Sequence, residues 1–293
     1  MRAIKRIGTA TGMIFAAALG AAADDASIGV VAAENFYGDV ARQVGGGRIA
    51  VLSILSNRDQ DPHLFEMTSG VVRQVADARI VIFNGANYDP WMQKLLDAAP
   101  RSGRTVITVA AVVGRKTGDN PHLWYDPPTM PAVARTLAAA LSKMDPEHEA
   151  EYEEQLKIFL TSLHRLEQKI VEMRAKYAGI PITATEPVFS YMADAIGLTV
   201  RNERFQMAVM NDTEPAARDL AAFENDLRKR KVKVILYNKQ VTSNLTDRLI
   251  DIARSANVPV VGITETEPAD TSFVDWMLSE LDELEKALQS PPT

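Results

Sequence analysis

PEHEAEYEEQLKIFLTSLHRLEQKIVEMRAKY, from Pro146 to Tyr177, is the stretch on which the fold turns. After Pro146 it contains neither proline nor glycine. Leu156, Phe159, Leu160, Leu163, Leu166, Ile170 and Met173 recur at the three- and four-residue spacing of a helix with one apolar stripe. Asp145 followed by Pro146 opens it, because proline is tolerated at the first helical position, where its missing N–H costs nothing. A helix of about 30 residues is about 45 Å long. That exceeds one lobe and suits a rigid connector spanning two.

On both sides of this stretch, short apolar runs alternate with helical patterns. Ahead of it, strands are expected at 28–33, 49–55, 79–84 and 104–109, with helices near 36–44, 67–76 and 90–98 and another starting near Pro128. Beyond it, strands are expected at 181–185, 231–237 and 258–263, with helices at 187–196, 214–230, 244–256 and 273–289. Such alternation produces parallel sheets covered by helices. The expected fold is α/β: two lobes, each with a parallel-type sheet flanked by helices, joined by one long backbone helix. The lobes divide as 24–145 and 179–293, with the connector at 146–178. Ligands of such sheets sit at the carboxyl ends of the strands, so a site is expected in the cleft between the lobes.

Residues 1–23 read as a secretory leader rather than part of the fold. Arg2, Lys5 and Arg6 give a basic start, Ile7 to Gly20 is small and apolar, and Ala21-Ala22-Ala23 supplies a cleavage pattern. No other stretch is apolar for the ~18 residues a spanning helix needs, so stable membrane insertion is not expected. The net charge of −6 becomes more negative once the leader's three basic residues are gone. An acidic surface disfavours nucleic acid and anionic lipid and is compatible with attracting cations. The chain has no cysteine, which excludes disulfides and thiolate metal sites. It also removes the residue that a lipid anchor requires. A monomer free in a periplasm is the expectation.

Four histidines can be weighed one by one. His63, in QDPHLFE, and His122, in NPHLWYDPP, both follow a proline in a loop between a strand and a helix. Proline fixes the local backbone and makes a ligand's position reproducible. Two such histidines at one edge of one sheet point to a metal site. His148 and His164 fall on the connector and read as ordinary helix residues, and no His-Glu-x-x-His pattern of a zinc protease is present. In the second lobe, Glu186 follows a strand and precedes Pro187; it is either an acidic ligand or a complement to the helix dipole. Glu265 and Glu267, in GITETEP, stand just past the last strand, as ligands or as a solvated acidic loop.

With these elements in place, the chain resembles the solute-binding proteins that serve zinc and manganese ABC importers. The resemblance lies in DPHLFE, ARIVIFNGANYDPWMQKLL, NPHLWYDPP, TEPVFSYMADAIGL, NDTEPAARDLAAFENDLRKRKVKVILYNKQ and VPVVGITE. It implies two α/β lobes, a backbone helix and an interlobe metal. His63 and His122 match the family's two histidines of the first lobe. Glu186 matches the third ligand position, and Glu265 best matches the fourth, with Glu267 as the fallback. The His- and Asp-rich loop of many zinc members is absent ahead of Asn120, and Asn238-Lys239-Gln240 replaces a stretch that commonly begins with Glu.

Two imidazoles with two carboxylates form a hard, oxygen-rich set that leans toward Mn²⁺, with Zn²⁺ close behind and Fe²⁺ a third candidate. Four protein ligands closed around an ion leave no position for a reacting water, which favours capture over catalysis. The implied partner is the permease of an ABC importer, with its cytoplasmic ATPase. Two readings from other classes use the same residues: a periplasmic metalloenzyme with an open coordination position, and an adhesin-like interaction protein.

Overall fold

The computed structural model describes residues 27–56, 65, 67–241 and 243–290. The leader expected at 1–23 and residues 57–64, which include His63, lie outside the described residues.

In the first lobe, β1 (Ile28–Glu34), β2 (Ile49–Leu55), β3 (Ile80–Phe83) and β4 (Thr105–Thr108) form one sheet in the order β2-β1-β3-β4. All its pairings are parallel. The helices are α1 (Asn35–Gly45), α2 (Ser69–Asp77), α3 (Pro90–Ala98), the single turn α4 (Val109–Val112) and α5 (Thr129–Met144). β3 reads Ile-Val-Ile-Phe and is buried at every position, as expected of a parallel strand covered on both faces. Thr68 caps α2 by accepting a hydrogen bond from Val71 N–H, which satisfies one of the donors a helix start leaves unpaired.

The connector forms as expected. A 3-10 turn at Pro146–His148 leads into α6, Glu149–Tyr177, which is 29 residues long. It buries Tyr152, Phe159, Leu163, Leu166, Ile170, Met173 and Tyr177 on one face. That face packs on α1 and α5 of the first lobe and, in the second, on α7 (Ser190–Ile196) and α11 (Phe273–Gln289). Lys169 on α6 adds ion pairs to Asp282 and Glu285 of α11.

The second lobe repeats the topology. β5 (Pro181–Ala184), β6 (Thr199–Arg201), β7 (Ile235–Asn238) and β8 (Val260–Ile263) form a parallel sheet in the order β6-β5-β7-β8. Its remaining helices are α8 (Glu203–Met210), α9 (Ala217–Arg228) and α10 (Asn244–Ser255). Several details differ from the sequence reading. β6, α8 and the single turn α4 were not anticipated. α9 starts three residues later than expected, because Glu214 precedes a proline and is steered out of helical geometry, and Ala216 is still extended (φ −59°, ψ 139°). Of KVKVILY, only the last three residues join β7, which ends on Asn238.

One continuous apolar cluster runs from the first lobe (Val30, Ile80, Trp124) through α6 (Phe159, Leu163, Leu166) into the second (Phe189, Trp276, Leu281). Smaller clusters line the outer face of each sheet. The lobes therefore share a core rather than merely touching, and this couples their positions. In each sheet the strand order reverses beside the first strand, between β1 and β3 and between β5 and β7. That reversal opens a crevice at the carboxyl ends, and the two crevices face each other.

Candidate metal centre

The first-lobe wall is built on the turn after β3. Asp89 accepts hydrogen bonds from the backbone N–H groups of Asn84 (2.6 Å) and Gly85 (2.8 Å), folding Asn84–Asp89 back on itself. Gly85 sits at φ +75°, and a Cβ there would meet Thr108 Cγ2 at 2.8 Å, so glycine is required for both reasons. Ala86 and Asn87 are also left-handed. The turn aims Tyr88 across the cleft, where its hydroxyl donates to Oε2 of Glu265 at 2.9 Å. Burial and the neighbouring Glu265 and Glu34 carboxyls push the Tyr88 phenol well above its ordinary range, so it remains a donor.

Asn84 links this turn to the His122 loop. Its Nδ2 donates to the Pro121 carbonyl at 2.8 Å, while its Oδ1 accepts from the Tyr37 hydroxyl at 2.6 Å. His122 is 1% exposed. Its Nδ1 lies 2.6 Å from Oδ1 of Asn120, which also accepts the His122 backbone N–H at 3.1 Å. Asn120 is itself oriented by donating Nδ2 to the Pro187 carbonyl of the second lobe at 2.7 Å. This assigns the proton to Nδ1 and the lone pair to Nε2. The Nε2 atom has no hydrogen-bond partner, and Oε2 of Glu265 stands 3.5 Å from it.

The second-lobe wall comes from three strand ends. Glu186 follows β5, Asn238 ends β7 and Glu265 follows β8. Asn238 Nδ2 donates to Oε2 of Glu186 (2.9 Å) and to Oε1 of Glu265 (2.5 Å). Gln240 Oε1 accepts from the backbone N–H groups of Glu265 (2.5 Å) and Thr266 (3.2 Å), which fixes the loop carrying Glu265. Glu186 and Glu265 are both buried. Buried carboxylates side by side are costly unless donors or a cation compensate them.

Glu267 faces elsewhere. Its backbone is clasped across the cleft by Asn35, which donates Nδ2 to its carbonyl (2.6 Å) and accepts its N–H (3.1 Å). Its side chain lines a separate cavity with Asp39, Arg42 and Ser53. Burial and the nearby Asp39 push its carboxyl up to about 9. His148 pairs with Asp145 at the foot of α6, and His164 is exposed on the connector; neither approaches the cleft.

The structure thus brings together His122, Glu186 and Glu265 from the sequence-derived set. His122 and Glu265 are direct neighbours, and Glu186 joins them through Asn238. Among the described residues no three His, Asp or Glu side chains stand close enough to hold a metal ion by themselves, and His63 lies outside those residues. Sequence reasoning did not single out Asn84, Tyr88 or Gln240. The available signals were a polar residue closing an apolar strand (RIVIFN, VILYN) and the turn-forming NGANYD.

Comparisons with known proteins give the family and the fold. The family described as "Zinc-uptake complex component A periplasmic" matches residues 30–287. A "Putative metal-binding protein" of Treponema pallidum is 23% identical over 286 residues, covering 90% of this chain and 88% of that protein. The "Manganese ABC transporter substrate-binding lipoprotein PsaA" of Streptococcus mitis is 24% identical over 292 residues, covering 91% of each. Among solved structures, the periplasmic zinc binding protein TroA from Treponema pallidum superposes with a TM-score of 0.76 at 18% identity, covering 90% of this chain and 100% of that one. The chain belongs to the periplasmic zinc-uptake component A family, the metal-binding substrate-capture proteins of ABC importers.

Proposed function

We propose that His63, His122, Glu186 and Glu265 together hold one divalent transition-metal ion in the interlobe cleft. The carrying observation is the buried His122 Nε2, which has no hydrogen-bond partner and faces a carboxylate of the opposite lobe at 3.5 Å. A metal ion between an imidazole lone pair and a carboxylate oxygen satisfies both. It also offsets the negative charge gathered by Glu186 and Glu265. By the family resemblance, His63, which follows β2 in the sequence, supplies the second imidazole.

The ion is cargo rather than a catalyst. Four protein ligands close its coordination sphere and leave no water to activate. The protein is exported to the periplasm by the leader ending at Ala23. There it binds manganese, zinc or iron as a monomer and hands the ion to the permease of an ABC importer, which its ATPase drives. Imidazole must be deprotonated to bind, so acidification weakens capture.

Calorimetric titration of the purified protein with Zn²⁺, Mn²⁺ and Fe²⁺ tests this reading. One ion per chain, with binding lost in His63→Ala and His122→Ala, supports it. Unchanged affinity in both variants overturns it.

A further inference from the structure

Two sets of hydrogen bonds cross the cleft, and they differ in what they hold. One ties α1 to the second lobe: Asn35 clasps the Glu267 backbone, and Asp39 accepts the Phe273 N–H at 3.0 Å. It ends on backbone atoms of the loop after β8 and the start of α11. The other passes through Asn120. Its Oδ1 accepts the His122 backbone N–H at 3.1 Å and lies 2.6 Å from Nδ1 of the same residue. Its Nδ2 donates to the Pro187 carbonyl of the second lobe at 2.7 Å. The Tyr191 hydroxyl, on α7, donates to the Asn120 backbone carbonyl at 2.8 Å. Arg115 of the first lobe lies over the Tyr191 ring, 4.9 Å from its centroid. A flipped amide would set NH₂ against the His122 N–H and oxygen against the Pro187 carbonyl, so these partners fix its orientation. One amide thus faces the His122 imidazole with its oxygen and the residue after Glu186 with its nitrogen.

Resting on the reading of His122 as a metal ligand, we propose that Asn120 is a positioning residue that couples the spacing of the two lobes to release of the ion. Which imidazole nitrogen is left bare for a metal is set by the hydrogen bond that the other one makes. Here that bond goes to Asn120, and the second lobe holds Asn120 at two points, its amide and its carbonyl. A contact of about 3.6 Å is no longer a hydrogen bond, so a shift of about 1 Å at Pro187 breaks the 2.7 Å contact. The amide then loses the partner of its nitrogen. Its oxygen is held to Nδ1 less firmly, and the preference for a proton on Nδ1 weakens. An imidazole with its proton on Nε2 has no lone pair there to give. Pro187 directly follows Glu186 in the chain, so the same shift moves a carboxylate of the site. A small displacement of the second lobe thereby loosens the grip of both lobes without wide opening.

The test uses Asn120→Ala and Tyr191→Phe in the full-length mature protein. Nitrogen-15 NMR of the metal-free protein reads the His122 tautomer, with His122→Ala assigning the signal. Stopped-flow mixing of the Zn²⁺-loaded protein with a chromophoric chelator reads the release rate. The wild type should carry its proton on Nδ1. Asn120→Ala should admit the Nε2–H tautomer and release zinc about 10-fold faster or more, the scale on which residues supporting ligands act. Tyr191→Phe keeps the Asn120 amide and removes one second-lobe hold on that residue. It should shift the tautomer in the same direction and speed release about 2- to 10-fold, the worth of one neutral hydrogen bond. A residue that merely orients His122 within the first lobe would respond to Asn120→Ala and ignore Tyr191→Phe. A wild-type proton on Nε2, or either variant matching the wild type in both readouts, overturns the inference while leaving the transport reading intact. Zinc affinity unchanged in His122→Ala overturns the ligand reading itself and the inference with it; the tautomer, read without metal, tells the two failures apart.

Discussion

His122 Nε2 stands 3.5 Å from Glu265 Oε2, although the histidine is fixed by first-lobe contacts and the glutamate by the end of the last strand of the second lobe. Asn120 bonds Nδ1 of the imidazole and thereby turns Nε2 toward the cleft. Gln240 holds the backbone beneath Glu265, and Tyr88 reaches from the first lobe to the same carboxylate oxygen. Replacing either partner should leave a fold that no longer retains metal. His122→Ala and Glu265→Ala are each expected to lower affinity by at least the ~10–100-fold seen for residues that merely support ligands. Metal content after dialysis and titration of the stripped protein check this.

Asn84 predicts a subtler effect. It touches no proposed ligand, yet its amide holds the Pro121 carbonyl one residue before His122. Asn84→Ala also leaves the buried Tyr37 hydroxyl without its acceptor, at a cost of about 1–3 kcal/mol in stability. Metal affinity should fall about 10-fold through loss of ligand orientation. Denaturant unfolding of the metal-free protein alongside titration separates the two effects.

How much of this was legible beforehand depends on the kind of signal. The connector could be read residue by residue, since a 3.6-residue period sustained over 29 residues has no other explanation. β6 could not. Thr199–Arg201 is three residues long and half exposed, too short for any period to show. The start of α9 was misplaced because Asp212-Thr213-Glu214 resembles a cap, while Pro215 disfavours helical geometry at Glu214 and Ala216 is still extended. At the site, His122, Glu186 and Glu265 stood out by residue type and by position after a strand. Asn84, Tyr88 and Gln240 did not, because they act through contacts with distant segments, which leave no local pattern. In the sequence, resemblance favours Glu265 with Glu267 as the fallback, but nothing in the local pattern sets the two apart. The Asn35 clasp on the Glu267 backbone and the Asn238 bond to Glu265 separate them.

The shared core makes a prediction about cooperativity. Leu163 on α6 is buried in the cluster that spans both lobes. Leu163→Ala should cost about 2–5 kcal/mol, as buried leucine truncations do. The loss should appear as one shifted transition in calorimetry, not as separate melting of two lobes. Small-angle scattering of metal-free and metal-loaded protein should likewise differ little.

Stability of the metal-free protein should also depend on pH through Glu280. This buried carboxyl contacts the Tyr125 hydroxyl at 2.5 Å and accepts the Thr264 N–H. Burial, partly offset by those hydrogen bonds, pushes it up to about 7. An unfolded glutamate titrates near about 4.3. Between these values the folded chain holds a proton that the unfolded chain releases. The contribution of Glu280 is therefore fully present below about 4.3 and is lost as pH rises toward 7. Glu280→Gln should reduce, not abolish, the fall in stability between pH ~5 and ~7, because the raised carboxyls of Asp89 (about 6) and Glu267 (about 9) contribute in the same window with the same sign; Glu285, held down at about 2 by its ion pairs, lies outside it. Melting temperatures across the window check it.

The most direct test of the central claim is a crystal structure of the metal-loaded protein with anomalous data at the zinc or manganese edge. A single strong peak is predicted in the interlobe cleft, bonded to Nε2 of His122, an imidazole nitrogen of His63 and the carboxylates of Glu186 and Glu265. A peak elsewhere, or one in the cleft that His122 or Glu265 does not touch, would contradict it.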